Sequence, residues 1–144
     1  MVSKEVEKLL LKVQKPGRYV GGELNEVIKD KKKVDCRFAF CFPDTYEVGM
    51  SHLGMKILYC LMNAVPYIWC ERVFAPWVDM EEEMIKHKIP LYALESGDPV
   101  SDFDFIGFTL QYELSFTNML NMLRLSGVPI KSCDRKELKN IVVA

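Results

Sequence analysis

Immediately after a strongly apolar run the sequence places Asp44-Thr45-Tyr46-Glu47-Val48-Gly49, then Ser51 and His52. A second polar group, Thr109, Gln111, Tyr112 and Glu113, follows another apolar run, and Arg72 sits inside a third. Carboxylates, hydroxyls and amides at strand ends beside helix starts are suited to holding a ligand, through hydrogen bonds and the partial positive charge of a helix N-terminus. Other chemistries are poorly served. Ser51 and His52 are sequence neighbours, a poor arrangement for a nucleophile and its base, and no G-x-S-x-G surrounds a serine. Neither G-x-G-x-x-G nor G-x-x-x-x-G-K-[ST] occurs, so the dinucleotide and P-loop fingerprints are absent. His52 reads as a cap or loop hydrogen bonder, and His87 as a cation complementing a helix C-terminus. Cys36, Cys41, Cys60, Cys70 and Cys133 have no C-x-x-C and no metal-ligand spacing. They read as reduced, small core residues. Glu81 to Glu83 read as a solvated helix face.

The hydrophobic pattern supplies the scaffold for these groups. Residues 34–42 are almost continuously apolar and end at Pro43, which suits a strand covered on both faces of a parallel sheet. Over 51–63, Leu53, Ile57, Leu58, Leu61 and Met62 form a helical stripe expected to face the core. Asp44 and Glu47 have capping-box spacing that would start this helix earlier, and Pro66 ends it. Residues 67–74 are the second strand, with the charged pair Glu71-Arg72 towards its end. A helix opens at Pro76 with acidic residues early and Lys86, His87 and Lys88 late, matching the helix dipole. Residues 89–94 and 105–110 are expected as the third and fourth strands. A helix over 114–126 closes with Gly127 as its C′ residue. Residues 140–144 open a fifth strand.

Ahead of this, residues 3–14 place Val6, Leu9, Leu10 and Val13 on one helical face, ended by Pro16-Gly17. A polar, glycine-bearing arm follows, its lysines at 29–33 reading as a solvated turn. The expected organisation is therefore a helix and arm over 1–33 and a domain over 34–144. The fold class is α/β, a three-layer Rossmann-like domain on a mostly parallel, doubly wound sheet of about five strands, with the N-terminal helix appended. In such a sheet the functional loops share the carboxyl edge, here 43–52, 75–79, 95–101 and 111–115.

With 144 residues, 49% hydrophobic and 27% charged, the chain has the composition of one globular domain. A net charge of −1 gives no global field favouring nucleic acid or an anionic membrane. No apolar run approaches the ~20 residues of a membrane span, and the start has no signal-peptide h-region. A cytoplasmic location is the default expectation. Domain boundaries avoid strands, so a strand at the end of the sequence leads us to expect the N-terminal piece of a longer protein.

The pattern D-x-Y-x-x-G at Asp44-Thr45-Tyr46-Glu47-Val48-Gly49 resembles the cobalamin-binding signature D-x-H-x-x-G, with Tyr46 where the axial histidine would stand. The segments KPGRYVGGELN, RFAFCFPDTYEVGMSHLGMKILY, ERVFAPWVDME and DFDFIGFTLQYELSFTNMLNML together resemble the N-terminal region of a bacterial B12-binding-type radical SAM family. The resemblance implies a cobalamin-binding-like accessory domain, not catalytic on its own, preceding the protein's own C-terminal radical SAM barrel. That barrel would hold a [4Fe–4S] cluster on C-x3-C-x2-C and cleave S-adenosylmethionine. The motif is not in this sequence, so both cofactors are expected only downstream. Any cobalamin here would bind without histidine axial ligation. Asp44, Thr45, Tyr46, Gly49, Ser51 and His52 would form one wall of its pocket. Thr109, in place of the serine of the family's S-x-L element, with Gln111, Tyr112 and Glu113, would form the other, with Arg72 at the mouth of the second strand. The alternative is a degenerate Rossmann-like module that has lost corrin binding and serves substrate positioning or interdomain contact.

Overall fold

The computed structural model describes residues 4–144. Its sheet is built from β1 (Cys36–Phe42), β2 (Ile68–Phe74), β3 (Phe105–Phe108) and β4 (Ile141–Val143), all parallel, in the order β2-β1-β3-β4. The helices are α1 (Lys4–Leu10), α2 (Tyr46–Ser51), α3 (Leu53–Ala64), α4 (Val78–His87) and α5 (Ser115–Leu125). One sheet face buries Ala39, Cys41, Val73, Ile106 and Phe108 against Leu9 of α1, Met80 and Met84 of α4, and Met122 and Leu123 of α5. The other buries Phe40, Phe42, Cys70 and Phe74 against Met55 and Tyr59 of α3. Connections leave β1 towards opposite sides, so the switch point of the winding lies between β1 and β3. No helix among the described residues is long and apolar enough to cross a membrane.

The expected α/β architecture stands, with four strands in the sheet among the described residues where about five were expected. Residues 89–94 do not join the sheet: Leu91 N–H goes to Leu125 O, Ala93 N–H to Asp98 O, and Tyr92 makes a lone antiparallel bridge to Pro99. The apolar run there reflects burial of Leu91, Ala93 and Leu94, which a packed loop achieves as well as a strand. Without that strand, loop 95–101 is not at the carboxyl edge; Ser96 and Asp98 meet Arg37 near the start of β1. Of the stripe assigned to α3, Met62 packs half-buried against the core, but the rest faces outwards. Met55 and Tyr59 are buried, whereas Leu53, Ile57, Leu58 and Leu61 are 69%, 49%, 49% and 61% exposed. The first helix is shorter than 3–14, and residue 3 lies outside the described residues. Cys41 and Cys70 are buried as expected, but Cys60 and Cys133 are exposed.

Side chains in a strand alternate between faces, so the neighbours Glu71 and Arg72 cannot pair with each other. Glu71, fully buried, meets Arg37 on one face (Oε1 to Nη2, 2.5 Å). Arg72, 5% exposed, meets Glu95 on the other (Nε to Oε1, 2.6 Å). A buried charge is tolerated only when paired and hydrogen-bonded, and each has its own counter-ion.

The outer edge of β2 is satisfied without a further strand. The Asn63 side-chain amide imitates a strand, its Oδ1 accepting Cys70 N–H at 3.0 Å and its Nδ2 donating to Cys70 O at 2.9 Å. Leu94 N–H donates to Arg72 O at 2.8 Å, and Arg72 N–H donates to Glu95 Oε2 at 2.7 Å. Lys29, expected in a solvated turn, donates from Nζ to the carbonyls of Asn63, Val65 and Ile68 at 2.8, 2.7 and 2.5 Å. It thus caps the carboxyl end of α3, and burial there lowers its pKa. The polar arm is pinned to the domain by Trp69 Nε1 donating to Val27 O at 2.8 Å and Val27 N–H donating to Tyr59 Oη at 2.8 Å.

Candidate functional site

The loop after β1 turns on Asp44. Its Oδ1 accepts Thr45 N–H at 2.7 Å, so it braces the turn rather than capping a helix through the expected box. Its Oδ2 accepts the Tyr112 hydroxyl at 2.7 Å, a bond that ties the loop after β1 to the loop after β3 across the switch point and raises the Tyr112 pKa. Asn118, on the first turn of α5, donates to Pro43 O at 2.9 Å and holds the same loop from the other side. Beside these residues lies a cleft of about 200 Å³ lined by Asp44, Thr45, Trp77, Glu81, Asn118 and Asn121. Glu81 accepts from Asn121 Nδ2 at 2.8 Å and from Arg124 Nη2 at 2.9 Å. Thr45, N-cap of α2, makes no side-chain cap bond. The cleft is a polar groove at the carboxyl edge, where open α/β sheets take their ligands.

Of the residues read from the sequence, Asp44, Thr45 and Tyr112 meet at this cleft or its rim. Thr109 leaves β3 with its N–H on Cys41 O at 3.2 Å, and its Oγ1 accepts the Gln111 amide; Gln111 and Glu113 are exposed on the same loop. The others are elsewhere. Tyr46 is half-buried and donates its hydroxyl to Glu23 of the arm, with its ring edge-on to Phe74 at 5.5 Å. Burial foremost, with the Glu23 bond behind it, pushes its pKa up to about 12. Gly49 is buried, and a Cβ there would lie 2.3 Å from Phe74 Cε1. Ser51 bonds only within its helix, to Val48 O at 2.8 Å. His52 is the N-cap of α3, its Nδ1 accepting Met55 N–H at 3.1 Å, as read from the sequence. Arg72 is enclosed in the core beneath the arm. Trp77 falls in the expected loop 75–79, and Glu81, read as part of a solvated helix face, instead lines the cleft. Asn118 and Asn121 are masked by helical periodicity; their signal is two amides at i, i+3 near the start of α5.

Glu47 ties the start of α2 to the arm. Its carboxylate lies 2.8 Å from Arg18 Nη2 and 3.3 Å from Lys15 Nζ, and chiefly the Arg18 bond holds its pKa down to about 2. A lowered folded-state pKa contributes stability above the ordinary value of 4.5, lost as the pH falls towards about 2. We therefore expect the stability gap between wild type and Glu47→Gln, read from urea midpoints, to shrink over that window; a gap constant with pH would rule out the ion pair.

Residues 54–144 match the family described as radical SAM proteins, N-terminal. The chain belongs to this family. No curated protein and no solved structure matches it. It is thus an N-terminal domain associated with radical SAM proteins, and the expected partner is a radical SAM domain of the same protein. The matched span begins after the D-x-Y-x-x-G loop, so the likeness of that loop to the cobalamin signature rests on residues outside it. A corrin ligated through this loop would need a donor at position 46, and Tyr46 is protonated near neutral pH and committed to Glu23. The motif's glycine is filled against by Phe74. The residues present do not fit axial ligation of a corrin at that position. Among the described residues no group of three or more His, Cys, Asp or Glu is placed to hold a metal ion.

Proposed function

We propose that this domain is a non-catalytic accessory module of a radical SAM enzyme, acting by contact with the radical SAM domain and by positioning what that domain works on, rather than by carrying a ligated corrin. The observation behind this reading is the exposed apolar stripe of α3. Leu53, Ile57, Leu58 and Leu61 are turned away from the core, and on the same sheet face Ile141 and Val143 of β4 are 52% and 51% exposed. Phe38 and Phe105, stacked with centroids 6.1 Å apart, are only partly covered between them. Exposed apolar side chains in this number on one side of the sheet support an interaction surface. The cleft at Asp44, Thr45 and Asn118 would face the substrate side.

The experiment has two readouts. Amide exchange over 53–61 should slow in the full-length protein relative to this chain alone, and equal exchange in both would remove the docking claim. Separately, protein mixed with hydroxocobalamin and desalted should carry no corrin absorbance in the visible spectrum. Retained absorbance, in either the chain or the full-length protein, would restore the cobalamin-binding reading in its place.

A further inference from the structure

Arg72 is a buried cation with an unfinished set of partners. Its Nε is bonded to Glu95 at 2.6 Å, its Nη1 approaches Met50 Sδ at 3.3 Å, and its guanidinium lies 4.5 Å from the centre of the Tyr59 ring. Nη2 alone has no acceptor, and it is the only buried side-chain nitrogen or oxygen among the described residues left in that state. An unmade bond of this kind costs about 1–3 kcal/mol, more for a charged group. Its other two nitrogens face Glu95 and Met50, and the cavities beside it are where an acceptor for Nη2 could enter.

Two cavities touch Arg72. The first, about 20 Å³, is lined by Arg18, Tyr19, Tyr46 and Tyr92 among others. Every one of those polar groups is engaged: Arg18 with Glu47, Tyr19 with Trp77 N–H, Tyr46 with Glu23, and Tyr92 with Tyr19 O. The second, about 30 Å³, is lined by Asn25, Lys56 and Cys60 together with Met50, Met55 and Tyr59. Among the described residues neither the Lys56 ammonium nor the Asn25 side-chain amide has a hydrogen bond or ion pair, and both residues are exposed. Three uncommitted donor groups, two of them cationic, thus converge on one small cavity with apolar walls.

We propose that this cavity binds a small carboxylate of formate or acetate size, one oxygen accepting from Arg72 Nη2 and the group's charge meeting Lys56. Glu95 already neutralises Arg72, so Lys56 is the cation left for the ligand. The space exceeds the ~10–15 Å³ needed by one water and is far too small for a nucleotide or a corrin ring. The methionine and tyrosine walls accommodate the carbon end. The cavity is separate from the cleft at Asp44 and shares α3 with the apolar stripe, but carboxylate binding by the chain alone requires no docking, so its test is independent of the docking reading.

The test is a titration of the 144-residue chain with sodium acetate, sodium formate, acetamide and sodium chloride at constant ionic strength, followed by thermal midpoint and by amide chemical shifts. Acetate and formate should raise the midpoint saturably and shift amides of residues 49–56 and 72, while chloride and acetamide do neither. Lys56→Gln, at an exposed position, should weaken the apparent acetate affinity at least fivefold. Acetate behaving like chloride would reduce the cavity to a pocket for solvent and overturn the proposal. So would acetamide binding as tightly as acetate, or Lys56→Gln leaving the affinity unchanged.

Discussion

Replacing Glu95 with alanine is expected to destabilise the domain by about 3–5 kcal/mol, the loss typical when one partner of a buried ion pair is removed. Both partners are enclosed, Glu95 at 3% and Arg72 at 5% exposure. The carboxylate also holds two separate groups, accepting Arg72 Nε on one oxygen and the Arg72 backbone N–H on the other. Alanine would leave the guanidinium uncompensated in the core and open a backbone donor on the sheet edge in one step. Glu95→Gln keeps the shape and the backbone acceptor, so its loss should be smaller. The double variant Arg72→Met with Glu95→Leu should recover much of the stability, because two apolar groups leave no charge stranded. Urea unfolding of the three variants measures the order. An alanine variant within about 1 kcal/mol of wild type would mean that water reaches Arg72 and that the pair is not desolvated.

Gly49→Ala is expected to be the next most costly change. The added methyl would lie 2.3 and 2.6 Å from Phe74 Cε1 and Cδ1 and 3.2 Å from Phe42 Cδ1. Those rings are 9% and 2% exposed, so neither has solvent to move into. Overpacking of this sort costs about 1–3 kcal/mol and occasionally more. The better helix propensity of alanine, about 1 kcal/mol, offsets only part of it. Gly107→Ala supplies the control. Its methyl would meet Phe38 Cζ at 2.3 Å, an equally short approach, but Phe38 is only half-buried on the open part of the sheet face and can swing aside. Thermal midpoints should fall further for Gly49→Ala than for Gly107→Ala. The reverse order would mean that α2 does not seat on Phe74 as described.

The sequence carried the layers of this fold because they follow from periodicity and punctuation. Residues 34–42 became β1, the acid-to-base gradient of 78–87 became α4, and Gly127, at φ +69°, closes α5 as expected of a C′ glycine. What did not come through depends on which surface of an element is covered. The apolar stripe Leu53, Ile57, Leu58, Leu61 has the spacing of a buried face, and nothing local says that Met55 and Tyr59 take the core instead. The run at 89–94 was apolar because it is enclosed, and enclosure does not distinguish a strand from a packed loop. For the site, the Asp44 turn was legible because a strand ending in Pro-Asp-Thr fixes its own geometry. Tyr46 was not, since its partner Glu23 lies in an arm whose polar composition gave no hint that it folds over the domain. Arg72 was singled out, but its depth was set by Glu95, a residue 23 positions away in the sequence.

The side chains along β2 also decide how this sheet can be extended. An incoming strand, from another copy or from any extended peptide, would have to displace the Asn63 amide, the Lys29 ammonium and the Glu95 carboxylate before it found a free backbone group. At the opposite margin β4 has no neighbour on its far side among the described residues. Growth is therefore confined to one direction. The bare part of the sheet face, with Phe105, Ile141 and Val143, adjoins that same margin, so a segment that lengthens the sheet there would bring its own connection over those side chains. Extending the ladder and covering the exposed phenylalanine and branched side chains would then be a single cooperative step.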